Sequence, residues 1–273
     1  MRRHERALAA RDPVMARLIA AAGPCTARPR LELSPFEVLA RAIAHQQLNG
    51  VVADRIFGRF KALYAPAPFP EPASLATTDD AALRSVGFSF AKIGALRDLA
   101  GKVITGVVPA TSELHALDDE AIVERITQVR GIGRWTVEMM LMFQLGRPDV
   151  LPVDDFGVCN GFRLAYGLKG MPRPRALAEF GERWAPYRSM AAWYLWRAVD
   201  LARTGKLPRP GRAPRVAQKQ TRAKAAAGKV RGTGKARAGG KPGRRTARRP
   251  PARKRSAASK RKATARRGAT RAW

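Results

Sequence analysis

The apolar residues of this chain recur at three- and four-residue intervals, a pattern that predicts a series of amphipathic helices and hardly any strand. Asp12-Pro13 reads as a cap and first-turn pair, followed by Val14, Leu18 and Ile19 on one face. Ser34-Pro35 opens a second helix with Phe36, Leu39, Ala40 and Ile43 inward, and Val51 to Tyr64 is a third. The segment Ala65 to Pro72, APAPFPEP, is a loop. Short helices follow at about Asp79 to Val86 and Ala91 to Val103, and Lys102 to Pro109 could form a brief extended piece. Asp118, Asp119 and Glu120 give an acidic first turn to the next helix. The stretch Gln128 to Phe156 reads as helix end, Gly-Ile-Gly hairpin, a helix from about Arg134, and a turn delivering Asp154 and Asp155. Helices at Phe156 to Tyr166, Pro174 to Trp184 and Tyr187 to Thr204 complete an all-α reading with no internal repeat.

Charge divides the chain in two. From Lys206 to Trp273 there are 25 Lys and Arg and no Asp or Glu, which leaves 27 basic against 21 acidic residues before it. Residues 1–205 therefore read as a mildly basic globular part, large enough for one core or two small lobes. Residues 206–273 have only Leu207, Val216, Val230 and Trp273 as bulky apolar side chains, too few to offset the entropy of ordering. A disordered basic tail is expected there, suited to non-specific polyanion binding through counterion release.

Two cysteines, Cys25 and Cys159, are too few for a disulfide framework or a four-thiolate cluster, and the three histidines show no zinc-ligand spacing. The N-terminus is basic and then Ala-rich, but Arg11, Asp12 and Arg17 interrupt any signal-like apolar run. No stretch reaches the ~18 apolar residues of a membrane span. An amphipathic N-terminal helix and a cytoplasmic, nucleoid-associated protein are expected.

The chemistry is concentrated around the hairpin. Glycines at 131 and 133 let backbone N–H groups approach a phosphate, and the helix beginning at Arg134 points its positive end at the same anion. Asp155, some twenty residues later, is out of place on such a surface, because a carboxylate repels phosphate. Either the aspartate pair merely caps the helix at Phe156, or one member has a chemical role.

Several motifs occur in order: DPVMARLIAAAGP, SPFEVLARAIAHQQL, GFSFAKIGALRDLA, VRGIGRWTVEMM, LPVDDFGV and RWAPYRSMAAWYLWR. Together they resemble the helix-hairpin-helix DNA glycosylases and, more narrowly, the 3-methyladenine DNA glycosylase II family, over Asp12 to about Thr204. The resemblance implies a two-lobed helical fold in its shorter form, without the N-terminal β domain of some long members, with the first twenty residues packing on the C-terminal helices. It makes Asp155 the catalytic carboxylate, stabilising an oxocarbenium-like sugar, with Asp154 left as the cap. Trp135 and Trp196 match positions that stack on a flipped base, where an indole face favours a cationic purine. Met139 stands where a family member has a tyrosine, so the pocket shape departs from the family pattern.

Relatives that also cleave the strand carry a Schiff-base lysine at position 135, so Trp135 implies a monofunctional enzyme. Gln47, and after it Leu48, occupies the place of the intercalating wedge. Phosphate contacts are implied for the N–H groups of Gly131, Gly133 and Thr136, with Arg134 beside them. The backbone carbonyls of Thr127, Val129 and Gly131 correspond to a monovalent-cation site. No cofactor is otherwise required, and the implied partner is double-stranded DNA with alkylation damage, bound by a monomer and without a membrane. The residues leave open 3-methyladenine and 7-methylguanine against neutral hypoxanthine or ethenoadenine. A non-catalytic architectural DNA-binding protein is the alternative, and Asp155 argues against it.

Overall fold

A computed structural model describes residues 2–210, and all thirteen α-helices reported below lie within them. The charged tail falls outside the described residues from position 211 onward. Among the described residues there is no strand, and no helix is long and apolar enough to cross a membrane.

The helices form two lobes. One is assembled from both ends of the described chain: α1 (Arg3–Arg11) and α2 (Pro13–Ala22) pack with α11 (Phe156–Ala165), α12 (Pro174–Gly181), a 3₁₀ turn at Glu182–Trp184, and α13 (Arg188–Arg203). The N-terminal segment is thus two helices rather than one, because Asp12 interrupts it. The Asp12 carboxylate caps α2 by accepting from Val14 N–H at 2.9 Å. It also accepts from Tyr166 Oη at 2.6 Å and Trp184 Nε1 at 3.0 Å. A buried carboxylate is tolerated only when its lone pairs are filled in this way. Glu5 does similar work, accepting from Cys25 N–H at 2.9 Å and Tyr194 Oη at 3.2 Å.

The other lobe is contiguous: α3 (Pro35–His45), α4 (Gly50–Ala62), α5 (Pro72–Thr77), α6 (Asp80–Ser85), α7 (Phe90–Ile104), α8 (Thr111–Ala116), α9 (Asp119–Ile126) and α10 (Arg134–Phe143). Caps set most of its boundaries. Ser34, Asn49, Asp79, Ser89 and Asp118 each accept a backbone N–H of the following first turn. The extended piece expected at Lys102 to Pro109 is not formed. α7 runs on to Ile104, and Val108 N–H then closes a turn onto Lys102 O at 2.9 Å. α5 and α8, which the periodicity did not indicate, are six residues each.

α11 and α13 cross at close range. A Cβ built on Gly161 would lie 1.9 Å from the Leu195 carbonyl oxygen, so only glycine allows this approach. The crossing fixes the start of α11 against the middle of α13.

Candidate active site

The segment from Thr127 to Gly133 turns the chain between α9 and α10. Gly131 takes φ +81°, the left-handed region that glycine occupies without strain. Two neighbours brace the turn. The Asp98 carboxylate on α7 accepts Arg130 N–H at 2.7 Å. Gln46, at the end of α3, donates Nε2 to Gly131 O at 2.8 Å. Among the described residues the N–H groups of Gly131 and Gly133 have no partner. The Thr136 N–H, expected to face phosphate, is instead used internally, donating to Gly133 O at 2.9 Å. Arg134 is held in a two-point ion pair with Glu120, at 2.8 and 2.6 Å.

Just past Gln46, Gln47 has φ +60°, the only non-glycine residue among those described to take a left-handed conformation. It is exposed, as is Leu48, at 40 %. Lys92 Nζ donates to Ala44 O at 2.6 Å, tying the first turn of α7 to the end of α3. Both wedge candidates therefore project from a loop braced by its neighbours.

Asp155 caps α11. Its Oδ1 accepts Val158 N–H at 2.7 Å, whereas Asp154 is exposed and caps nothing. The cap expected at Asp154 is thus Asp155, the residue to which the resemblance also gives the catalytic role. The reason is register: α11 starts at Phe156, which puts Asp155 at the N-cap position. The same carboxylate accepts Trp135 Nε1 on Oδ2 at 2.8 Å and Trp196 Nε1 on Oδ1 at 2.8 Å. One carboxylate thus ties α10, α11 and α13 together, and its position is set by three donors from three elements.

Beside it lies a cavity of about 570 Å³ lined by Trp135, Met139, Phe143, Asp155, Trp193 and Trp196, with the segment 26–32 as a further wall. Trp135, Met139 and Phe143 are spaced by four on α10 and so share one face. Phe143 was legible by that spacing and was missed. The 26–32 segment carries no periodic signal. The Phe143 and Trp196 rings lie 5.8 Å apart. The buried Cys159 thiol, pushed up to about 11 by burial and then by Asp155 and Asp154, is poorly nucleophilic. No group of three or more His, Cys, Asp or Glu among the described residues converges to hold a metal ion. Phe156 is 68 % exposed immediately after Asp155, where no local pattern predicts a solvent-facing aromatic.

The turn carbonyls can be tested against the cation that the resemblance implies. Val129 O already accepts Ile132 N–H at 3.0 Å, and Gly131 O accepts from Gln46. Each carbonyl retains a second lone pair, so the residues are compatible with such an ion.

A family model described as HhH-GPD superfamily base excision DNA repair protein matches residues 40–186. The chain is 43 % identical over 168 residues to DNA-3-methyladenine glycosylase 1 of Schizosaccharomyces pombe, covering 62 % of this chain and 74 % of that one. Its structure is similar to that of an S. pombe 3-methyladenine DNA glycosylase solved with abasic DNA. The TM-score is 0.67 at 39 % identity, over 74 % of this chain and 98 % of that one. A DNA-3-methyladenine glycosidase from Bacillus halodurans gives 0.68 at 33 % identity, over 74 % and 92 %.

Proposed function

This chain belongs to the HhH-GPD superfamily of base excision DNA repair proteins, and on that premise we propose that it is a monofunctional DNA glycosylase that excises alkylated purines from duplex DNA. The observation that carries the proposal is the Asp155 carboxylate, held by two indole N–H groups and a helix amide at an aromatic cavity beside the hairpin.

The chemistry follows from that arrangement. The bond from C1′ to the purine nitrogen breaks heterolytically, and the electron pair leaves with the base. Positive charge develops on the sugar, and a fixed, partly desolvated carboxylate stabilises it. A purine methylated at N3 or N7 is already cationic and departs without a general acid. Water adds to C1′ and loses a proton, which leaves an abasic site. Trp135 and Trp196 line the cavity and favour the charged base by roughly 0.5–2 kcal/mol through cation–π attraction. Because position 135 is tryptophan, no Schiff base forms and the strand stays intact.

Duplex DNA is held at the hairpin through the Gly131 and Gly133 amides. Arg134 reaches phosphate only after leaving Glu120, and the enzyme acts as a monomer. The carbonyls of Thr127, Val129 and Gly131 would hold a monovalent cation, which would supply positive charge at the hairpin; replacing potassium by a bulky organic cation at equal ionic strength should weaken DNA binding, and unchanged affinity would remove the ion from the account.

The deciding experiment compares wild type with Asp155→Asn on methylated duplex DNA. Release of free methylpurine by wild type alone, with strand breaks appearing only after alkali, is the expected result. Tight binding without release by either protein would favour the architectural reading instead.

A further inference from the structure

α10 separates two cavities. Opposite the aromatic one lies a second, of about 860 Å³, walled on this helix by Arg134, Glu138 and Leu141. Its three arginines are each matched. Arg134 pairs with Glu120 at 2.6 Å, Arg147 with Asp119 at 3.3 Å, and Arg188 with Asp149 at 2.9 Å.

Glu138 is the residue left over. It is 8 % exposed, lines the cavity, and makes no hydrogen bond or ion pair among the described residues. Burial pushes its carboxyl up to about 7, with Asp154 and Glu120 adding to the rise against the pull of Arg134. The residue is largely buried but its carboxylate opens onto the cavity, where a cation with N–H donors would offset the cost of holding the charge there. The carboxylates here do not converge on a point that one metal ion could occupy, so the matching ligand is an organic ammonium or guanidinium.

We propose that this cavity seats a basic side chain from the protein's own segment beyond residue 210, contacting Glu138. The source is argued from charge and reach. Residues 211–273 contain 23 Lys and Arg and no acid. α13 begins at Arg188, on the cavity wall; its 16 residues span about 24 Å, and residues 204–210 add at most about 25 Å before the segment departs. About fourteen extended residues cover even that sum, which brings Lys224 and the bases beyond it within range. A covalent tether of this length supplies the side chain at an effective concentration up to the millimolar range, so even a weak ion pair is populated. DNA phosphates compete for the same charges, so duplex binding draws the segment off the cavity. The docking does not depend on the glycosylase reading and stands or falls separately from it.

The test is zero-length carbodiimide coupling of the full chain at low salt, followed by peptide mapping. Links from Lys224 or the lysines beyond it to Glu138, or to Glu120 and Asp118 at the rim, are expected. They should fall at least fivefold in Glu138→Gln and on addition of duplex DNA. A full-chain variant with all eight lysines of residues 211–273 changed to Gln alters no described residue and should lose rim coupling as well, which covers any folding defect of Glu138→Gln. Absence of links, links spread evenly to acids away from this cavity such as Glu32 on the other one, or rim coupling that survives these substitutions would overturn the proposal.

Discussion

Gly157→Ala probes whether the grip on Asp155 matters for catalysis. A Cβ at this position would lie 2.6 Å from Trp196 Cδ1, 2.9 Å from Trp196 Nε1 and 3.1 Å from Asp155 Oδ1. Ordinary carbon contacts are about 3.5–4.0 Å, so the indole must retreat by about 1 Å. Its 2.8 Å bond to Asp155 then stretches to roughly 3.8 Å, beyond hydrogen-bonding range. A hydrogen bond to a charged group contributes about 1.5–3 kcal/mol, which corresponds to a loss of roughly 10- to 150-fold in the rate of excision. Fold stability should change little, because alanine is favoured over glycine in a helix by up to ~1 kcal/mol and offsets part of the strain. The assay is single-turnover release of methylated base from duplex DNA, with affinity measured separately. Trp196→Phe removes the same donor and should give a similar loss, and the double variant should lose no more than the worse single one. A Gly157→Ala protein with wild-type turnover, or additive losses in the double variant, would refute the idea that the Trp196 donor fixes the carboxylate.

Other predictions test separate parts of the molecule. Gly161→Ala forces α11 from α13 against a backbone oxygen, and should cost about 1–3 kcal/mol, lowering Tm by roughly 2–12 °C in a thermal melt. Of the two wedge candidates, Gln47→Ala should slow excision of a base stably paired in duplex DNA by about tenfold while sparing a mismatched or single-stranded target; if only Leu48→Ala does this, the apolar neighbour is the wedge. Cys159, with its thiol raised to about 11, stays protonated until pH approaches that value, so native protein should resist alkylation up to about pH 9 and react at Cys159 only on unfolding; mass spectrometry after iodoacetamide treatment checks this.

Much of the fold was legible because its helices announce themselves locally. Asp12-Pro13, Ser34-Pro35 and Asp118 combine a capping side chain with helical spacing, and each begins a helix in the structure. The six-residue helices at Pro72–Thr77 and Thr111–Ala116 were not legible, since fewer than two turns cannot display a period. The hairpin, the aspartate pair and the helix start at Phe156 were legible, and that start already makes Asp155 the N-cap; what no local pattern reports is that the same carboxylate also accepts both indole N–H groups. The link from Gln46 to Gly131 joins residues 85 apart, and no local pattern reports such a contact. The same is true of the 26–32 segment, whose place on the cavity wall follows from the crossing between lobes: Arg30 N–H donates to Phe143 O, and Gln144 Nε2 to Leu33 O.

The lobe built from both ends of the described chain has a consequence during synthesis. The hairpin lobe is continuous and can fold as soon as it leaves the ribosome. α2 emerges earlier, with Val14, Met15, Leu18 and Ile19 destined for burial, but its partner α13 is made about 170 residues later. At roughly 5–20 residues per second that is a wait of about ten to thirty seconds with an apolar face uncovered. Nascent chains in which Phe143 has emerged but Arg188 has not should therefore present the hairpin lobe alongside a sticky N-terminal helix, which makes this interval the natural window for chaperone engagement.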